Sequence, residues 1–558
     1  MDMKKLHNRY EGSGVRQWVL GIASVAALAG AGSAYAYGPT EKPDVVVYLA
    51  GAAQTDKLLF TAVQGLFDPD SSLDYYNATS AGIGTDAATS KGYLHWALYG
   101  NVQSTKLGVT GADTVKVLFV KNSVGGAVGT FPFVQKQSTV KNKLATAGYT
   151  SQSFIDLSKA LSVAANQWKV DSQSLVSVKQ DAGINWGEPA IYQGDNVPTG
   201  WAAIVPAQAS QITVLPAVNA VIGIVATTSL RNALQDAQYG LTLTSADREK
   251  AEYQPSLTRQ QLVSLVTGQI GKWSDFVVTS ANGNRQSLTD FASADIPPGT
   301  TGVIPFNKTV HVVWRNRDAG IRAAFNAIAL NQPWAGTSAW KPTEAKDPIN
   351  GPIAYQEDSS SIEQVLDDLE KGTNNSGKVD HTAWAIGLQS LEKNASGKLG
   401  YRFLKVDGVA PTIENVYNGK YPLWSTITLQ YLAKGTVSKD GANLLATTKY
   451  NTVQNKQRFV QLIRKQLGEN VGALASFNAK NATHSFGLSG YLATPELAGA
   501  QITGGWDATK PVTLYTYGSP TNHARSPVVY KAIASPTGKD GLVPFNASAA
   551  GATTPQSW

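Results

Sequence analysis

The chain contains no cysteine in 558 residues. That excludes disulfides, thiolate metal ligands, a thiol nucleophile and a lipid-modified N-terminal cysteine. An exported form must then draw its stability from the size of its cores and not from covalent staples, and it is expected to be soluble. Histidine is scarce. His7, His95, His311, His381, His484 and His523 are scattered, none at HExxH or another metal-ligand spacing, so no metal is expected. Charge is low, at 16% against 42% hydrophobic residues, and the formal net charge is +7. This composition excludes a disordered chain. No dense Lys/Arg cluster points to nucleic acid, and the charge supports at most a modest bias toward anionic ligands. Enzyme motifs are missing as well. There is no P-loop, Gly487-Leu488-Ser489-Gly490-Tyr491 fails the nucleophile-elbow pattern at its last position, and Ser138 to Lys141 fits S-x-x-K without its partner motifs. Gly82 to Ala87 matches a loose dinucleotide fingerprint but lacks a preceding strand and a downstream ribose-binding acid. Asp367 and Asp368 read as a solvated pair in a charged helix. Neither an enzyme nor a cofactor is expected.

What is present is an alternation of strands and helices. Lys4, Lys5, Arg9 and Arg16 precede the apolar run Trp18 to Gly32, and Ala34-Tyr35-Ala36 is a small-x-small cleavage site. This predicts a cleavable export signal over 1–36 and a periplasmic or secreted location. No later apolar run is long enough for a transmembrane helix. The run from Asp44 to Leu49 suits a buried strand, and the pattern from Leu58 to Leu66 suits the helix after it. The loop Thr79 to Gly84 precedes a stretch, 90–99, read as helical, and Thr114 to Val120 reads as a strand. Tyr149 to Ser151 is read as the cap of a helix running to Leu161. Ile212 to Thr227 is a long apolar run broken at Pro216, suited to a strand that crosses between lobes. Thr258 with Gln261 has capping-box spacing. Val310 to Arg315 reads as a strand, and Ile321 to Leu330, Ser359 to Glu370 and Asn455 to Leu467 as helices. Together these predict an α/β protein of two lobes joined by two crossover segments. Lobe I takes 44–215, with an insertion at about 125–211; lobe II takes 216–402; 403–535 returns to lobe I; 536–558 is a Gly/Ala/Ser/Thr/Pro-rich tail.

The most ordered motif runs from Ala385 to Leu423, AIGLQSLEKNASGKLGYRFLKVDGVAPTIENVYNGKYPL. It reads as strand, helix, strand, an Asp-Gly turn, a short helix opened by Pro411-Thr412 and closed by Asn418-Gly419, then a new extended segment. The stretch resembles the return crossover of the phosphate-binding-protein-like family of periplasmic solute receptors, with its "AIGY" strand and "G..PT.EN...G.YPL" segment. LVSLVTGQIGKWSD, from Leu262 to Asp275, is similar to that family's "L..IF.GKI..WND" helix and turn. The resemblance implies a type 2 periplasmic-binding-protein fold. It also implies an interlobe cleft for a small, phosphate-like or organic anion, delivery to a membrane transporter, and a monomer.

The resemblance places the ligand on loops. These are Ala53, Gln54 and Thr55 after the first strand; Thr79 and Ser80 in the second small-residue loop; Asn185 before Trp186; and Arg315, Asp318, Gly320 and Arg322 at a helix N-terminus. Departures lie in the same loops. Where the family carries Arg followed by Ser-Gly-Thr, this chain has Ala319 and Ile321 on either side of Gly320. Its proton-accepting Asp is replaced at Gly183-Ile184-Asn185. A dry oxyanion site needs several converging donors, so these losses remove much of what selects phosphate. Arg317 and Arg322 read equally well as ion-pair partners of Asp318 or another nearby carboxylate. The rival expectation is a degenerate receptor fold serving as a secreted structural or interaction module.

Overall fold

Strand Val45–Gly51 is apolar along its length and buried at every position, which places it inside a sheet and not at its edge. The computed structural model in which it lies describes residues 37–77, 95–136, 146–147, 150–171, 173–240, 243–291, 308–332, 342–344, 351–357, 359–379, 381–433, 449–494 and 505–513. The export segment, Thr79 and Ser80 lie outside them. No helix among the described residues is long and apolar enough to cross a membrane.

Among the described residues fourteen strands form one mixed sheet. In chain order they are β1 Val45–Gly51, β2 Asp74–Asn77, β3 His95–Gln103, β4 Thr114–Asn122, β5 Leu161–Ala164, β6 Gln167–Lys169, β7 Ala182–Asn185, β8 Ile212–Thr227, β9 His311–Arg315, β10 Ile353–Glu357, β11 Ala385–Ser390, β12 Tyr401–Phe403, β13 Trp424–Leu432 and β14 Tyr491–Ala493. The order across the sheet is β10-β9-β11-β8-β13-β7-β1-β4-β3-β2-β6-β5, with β12 and β14 also on β8. The principal helices are α1 Asp56–Gln64, α2 Thr228–Tyr239, α3 Arg259–Val266, α4 Gly320–Ala329, α5 Ser359–Lys371, α6 Val453–Gly468 and α7 Val471–Asn481.

The sheet has two halves because β8 changes partners partway along. Its first part pairs with β13, from Ile212 opposite Leu432 to Val221 opposite Trp424. Its second part pairs with β11, from Ile222 opposite Ser390 to Ala226 opposite Ile386. The expected crossing strand is therefore one element of 16 residues. Pro216 cannot donate to a ladder, and the register shifts between Pro216 and Val218. The mixed α/β class and the two-part arrangement expected from the sequence are borne out. One apolar core is continuous through both halves, from Val47 and Phe119 to Val312 and Leu366.

The local signals at the crossover also hold. Thr258 Oγ1 accepts from Gln261 N (3.1 Å) and Gln261 Oε1 accepts from Thr258 N (2.9 Å), closing the capping box of α3. Thr412 caps the short helix Ile413–Tyr417, accepting from Asn415 N at 3.1 Å. Other expectations fail. No helix stands between β11 and β12; turns fill 391–400. The stretch read as helical at 90–99 enters β3 at His95, because it forms a nine-residue antiparallel ladder with β4. In place of the helix expected up to Leu161, the strand Gln152–Ile155 pairs with Leu175–Val178. Asp367 and Asp368 are buried. Asp368 accepts from Thr373 Oγ1 (2.6 Å) and Ser376 N (2.7 Å), so it ties down the turn after α5 and is not solvated.

Candidate functional site

The loops named from the sequence meet where the two halves adjoin, and a glycine-rich segment stands between them. Gly126–Gly129 forms a short 3-10 turn. A side-chain carbon on Gly126 would lie 2.4 Å from Asn185 Oδ1 and 2.8 Å from Gly320 N; one on Gly129 would lie 2.6 Å from Ile184 O. Only glycine lets this backbone lie between the first-strand loop and the N-terminus of α4. Gly320 is equally confined, because a side-chain carbon there would lie 2.2 Å from Asn185 Oδ1.

Each expected ligand residue can now be placed. Thr55 is buried, and its hydroxyl donates back to Ala52 O at 2.9 Å. Gln54 is buried beside it and Ala53 is half-buried. Asn185 is fully buried: Nδ2 donates to Thr130 Oγ1 (2.8 Å) and lies 2.6 Å from the Tyr192 hydroxyl, while Oδ1 accepts from Trp186 N (2.8 Å). Thr130 continues this network to Gln430, and Gln430 to Gly187 O. Asn185 is thus already committed to protein partners. Arg315 is buried at the C-terminal end of β9, and its carbonyl accepts from Arg322 Nη1 at 2.9 Å. Arg322 Nη2 donates to Glu344 Oε1 (2.8 Å), and Arg317 grips the same carboxylate through Nε and Nη2 (2.6 and 2.5 Å). The ion-pair reading of Arg317 and Arg322 holds, with Glu344 as the carboxylate. Asp318 accepts from Ala127 N through its carbonyl (2.8 Å), and its carboxylate lies against Gly125. Asn185, Arg315, Asp318, Gly320 and Arg322 come together; Ala53, Gln54 and Thr55 stand across the glycine turn from them.

A second polar group lies beside these loops and was not legible from motifs. Lys121, at the end of β4, is fully buried. Its ammonium donates to Gly51 O, to Asn122 O (2.8 Å) and to Ser123 Oγ (3.2 Å), and lies 3.5 Å from Asp56 Oδ1 at the start of α1. Burial raises the Asp56 carboxyl to about 6 against the opposing pull of Lys121, and burial lowers Lys121 to about 8. Glu392 is buried just after β11 and accepts from the Tyr491 hydroxyl at 2.7 Å, which also reaches Gln54 O at 3.1 Å. Burial raises Glu392 to about 6; Tyr491, Lys393 and Lys57 pull the other way and Asp56 adds to the rise. The signal available in the sequence was a lysine directly after the apolar run Val117 to Val120, within TVKVLFVKN.

His311 and His381 approach with their Nε2 atoms 3.1 Å apart. His311 Nδ1 donates to Thr309 O (2.9 Å), so its Nε2 accepts from His381. With ring centroids 5.3 Å apart the rings meet tip to tip, the arrangement of a hydrogen bond and not of two lone pairs converging on a cation. Among the described residues no three His, Asp or Glu side chains converge as metal ligands.

Residues 223–447 match the model of a family described as "PBP superfamily domain". The match opens within β8, covers the second half of the sheet and the return crossover, and extends past β13. The family resemblance read from the crossover motifs is borne out by it. No curated protein matches the chain. Among solved structures, a Clostridium perfringens protein described as a phosphate ABC transporter substrate-binding protein, with bound phosphate, is 13% identical over 80% of this chain and 99% of its own, with a TM-score of 0.34. PstS from Borrelia burgdorferi is 9% identical over 80% and 98%, with a TM-score of 0.29. An ABC-type phosphate transport receptor from Vibrio cholerae is 14% identical over 51% and 74%, with a TM-score of 0.25. At such identities and scores these are likenesses only, and the weight rests on the family match and the sheet topology.

Proposed function

We propose that the chain is an exported solute-binding protein that closes two α/β halves over a small organic anion and delivers it to a membrane transporter. One half comprises 44–221 and resumes at Trp424, and the other takes the chain between, with the changeover at Val221 and Ile222 of β8, a few residues beyond the 215/216 boundary expected from the sequence. The observation that carries the reading is the placement of Arg315, a buried cation at the C-terminal end of β9, close before the N-terminus of the ten-residue helix α4. Strand ends and helix N-termini of this kind are where α/β proteins hold anionic groups. The local charge argues for a monoanion. Glu344 pairs with Arg317 and Arg322, and Asp195 adds a second negative charge near both, so a phosphate dianion would have to compete with Glu344 for two of the three guanidinium groups. Binding also requires the Gly126–Gly129 turn to move off Gly320, which a hinge at β8 would allow.

Calorimetric titration of the purified protein with acetate, butyrate, gluconate, sulfate and phosphate tests this. At least one carboxylate should bind with Kd below the millimolar range, and Arg315→Met should weaken it at least tenfold. Silence toward every anion would overturn the reading. One observation favours a structural or interaction module instead: edge strand β5 exposes Leu161 (70%) and Val163 (47%), an apolar edge of the kind that recruits partners. That reading requires a ligand-silent protein whose self-association is abolished by Val163→Lys.

A further inference from the structure

The crossing point of the sheet holds a narrow crevice, lined by Trp186, Val221, Ser390, Glu392, Gly490 and Tyr491 and too tight for a water molecule. These residues come from both halves: Trp186 follows β7, Ser390 ends β11, Tyr491 opens β14, and Val221 is the last β8 residue paired with β13. Two polar groups in the crevice lack partners, and a third, a carboxylate, has one hydrogen bond. Trp186 Nε1 and Ser390 Oγ are buried with no hydrogen-bond partner. Glu392 accepts a single bond, on one oxygen, from Tyr491. Native structures pair nearly all such groups, so two orphans beside a buried carboxylate call for an explanation. Trp186 links the crevice to the loops above: a side-chain carbon on Gly320 would lie 2.9 Å from its N and 3.0 Å from its Cβ.

We propose that this crevice is the inner wall of the ligand site and that it receives hydroxyl groups, so that the solute is a hydroxylated carboxylate of the sugar-acid class. The inference rests on the solute-binding reading and deepens it. The argument is one of donors and acceptors. Glu392 offers an acceptor, Trp186 Nε1 is a donor only, and Ser390 Oγ is either. An ammonium group would satisfy Glu392 and leave the indole N–H orphaned. A hydroxyl donates to the carboxylate and accepts from the indole, and a second hydroxyl does the same with Ser390. The indole face adds a flat apolar wall for the carbon skeleton. Entry requires the crevice to widen where β8 passes from one half to the other, the place where closing the halves would grip the solute.

The test is calorimetric titration of the whole protein with gluconate, hexanoate, 6-aminohexanoate and phosphate. Gluconate should bind at least tenfold more tightly than hexanoate and more tightly than 6-aminohexanoate. The double variant S390A/W186F should lose at least tenfold in gluconate affinity. S390A alone should also weaken gluconate binding, and its melting temperature should stay the same or rise, since Ser390 Oγ bonds to no protein group; W186F also removes part of a buried ring and lowers the melting temperature by itself. A structural role predicts the reverse pair of results, lower stability with unchanged affinity. Equal binding of gluconate and hexanoate, or a preference for the amine, overturns the inference. Phosphate binding without gluconate binding also overturns it while leaving the solute-binding reading intact; no binding at all overturns both.

Discussion

Two buried carboxyl groups set how the molecule responds to pH. Glu392 and Asp56 both sit near 6 in the fold, raised by burial from ordinary values of 4.5 and 3.8. A raised carboxyl binds more protons folded than unfolded. Its contribution is complete below the unfolded value and is lost as pH climbs through the folded one. The protein should lose stability between pH 4.5 and 7, and Glu392→Gln should remove about 2 kcal/mol of that loss. Urea unfolding of both forms at the two pH values reads it; parallel losses would refute the assignment. Lys57, Lys393, Asp56 and Tyr491 surround Glu392, so the slope is theirs in part. At the other pair, Lys121→Met leaves Asp56 buried without its cation. We expect a cost of about 3–5 kcal/mol, most of it recovered in the double variant D56N/K121M. Strict additivity of the two single costs would show that the pair is not coupled. Little of this was visible beforehand. Lys121 was an oddity in an apolar strand, but its partner Asp56 lies 65 residues away, and only the fold brings them together.

At the scale of elements, motifs with local causes were legible and those with distant causes were not. The α3 capping box and the Thr412 cap are fixed by residues three apart, and both stand as read. HWALYGNVQ has too many apolar residues to show a period, and only its ladder with β4 makes it a strand. QSFI was absorbed into a helix because Phe154, Leu157 and Leu161 fall at helical spacing. The candidate site was half legible. Arg315, Gly320 and Asn185 were found by resemblance, but the glycine turn that fills the space between them has no motif. That turn gives a sharp prediction. A side-chain carbon at Gly183 would lie 1.8 Å from Gly129 O. Gly183→Ala should therefore cost more than about 3 kcal/mol, at or above the upper end of ordinary overpacking costs. Gly111→Ala, where nothing lies within 4 Å, tests the other side; its φ of +84° leaves only backbone strain, of order 1 kcal/mol. Equal melting temperatures for the two variants would mean the turn is not seated as described.

Across the whole molecule, the halves are not separable pieces of chain. Strand β8 belongs to both, β13 returns to complete the first, and β14 adds to the crossing from residue 491 onward. A fragment ending at residue 222 would keep β1, β4 and β7 but lose the strand that covers β7. Such a fragment should show no cooperative melting by circular dichroism; a sharp transition would contradict the shared-strand description. The two-lobe class could be read from the alternation of elements and the crossover motif. The crossing strand could be read from its long apolar run, Ile212–Thr227; its pairing partners could not, because residues about 160 to 220 positions away leave no local trace.

That shared strand has a consequence in time. Thr130 bonds to Gln430, and β7 gains its second neighbour only with β13. During synthesis at about 5–20 residues per second, the first core cannot close until well over 400 residues have left the ribosome, a delay on the order of half a minute. Until then β7 lacks one of its two neighbours and the first core stays open. A topology that closes late leaves the chain without a finished core, and therefore threadable, for most of its synthesis.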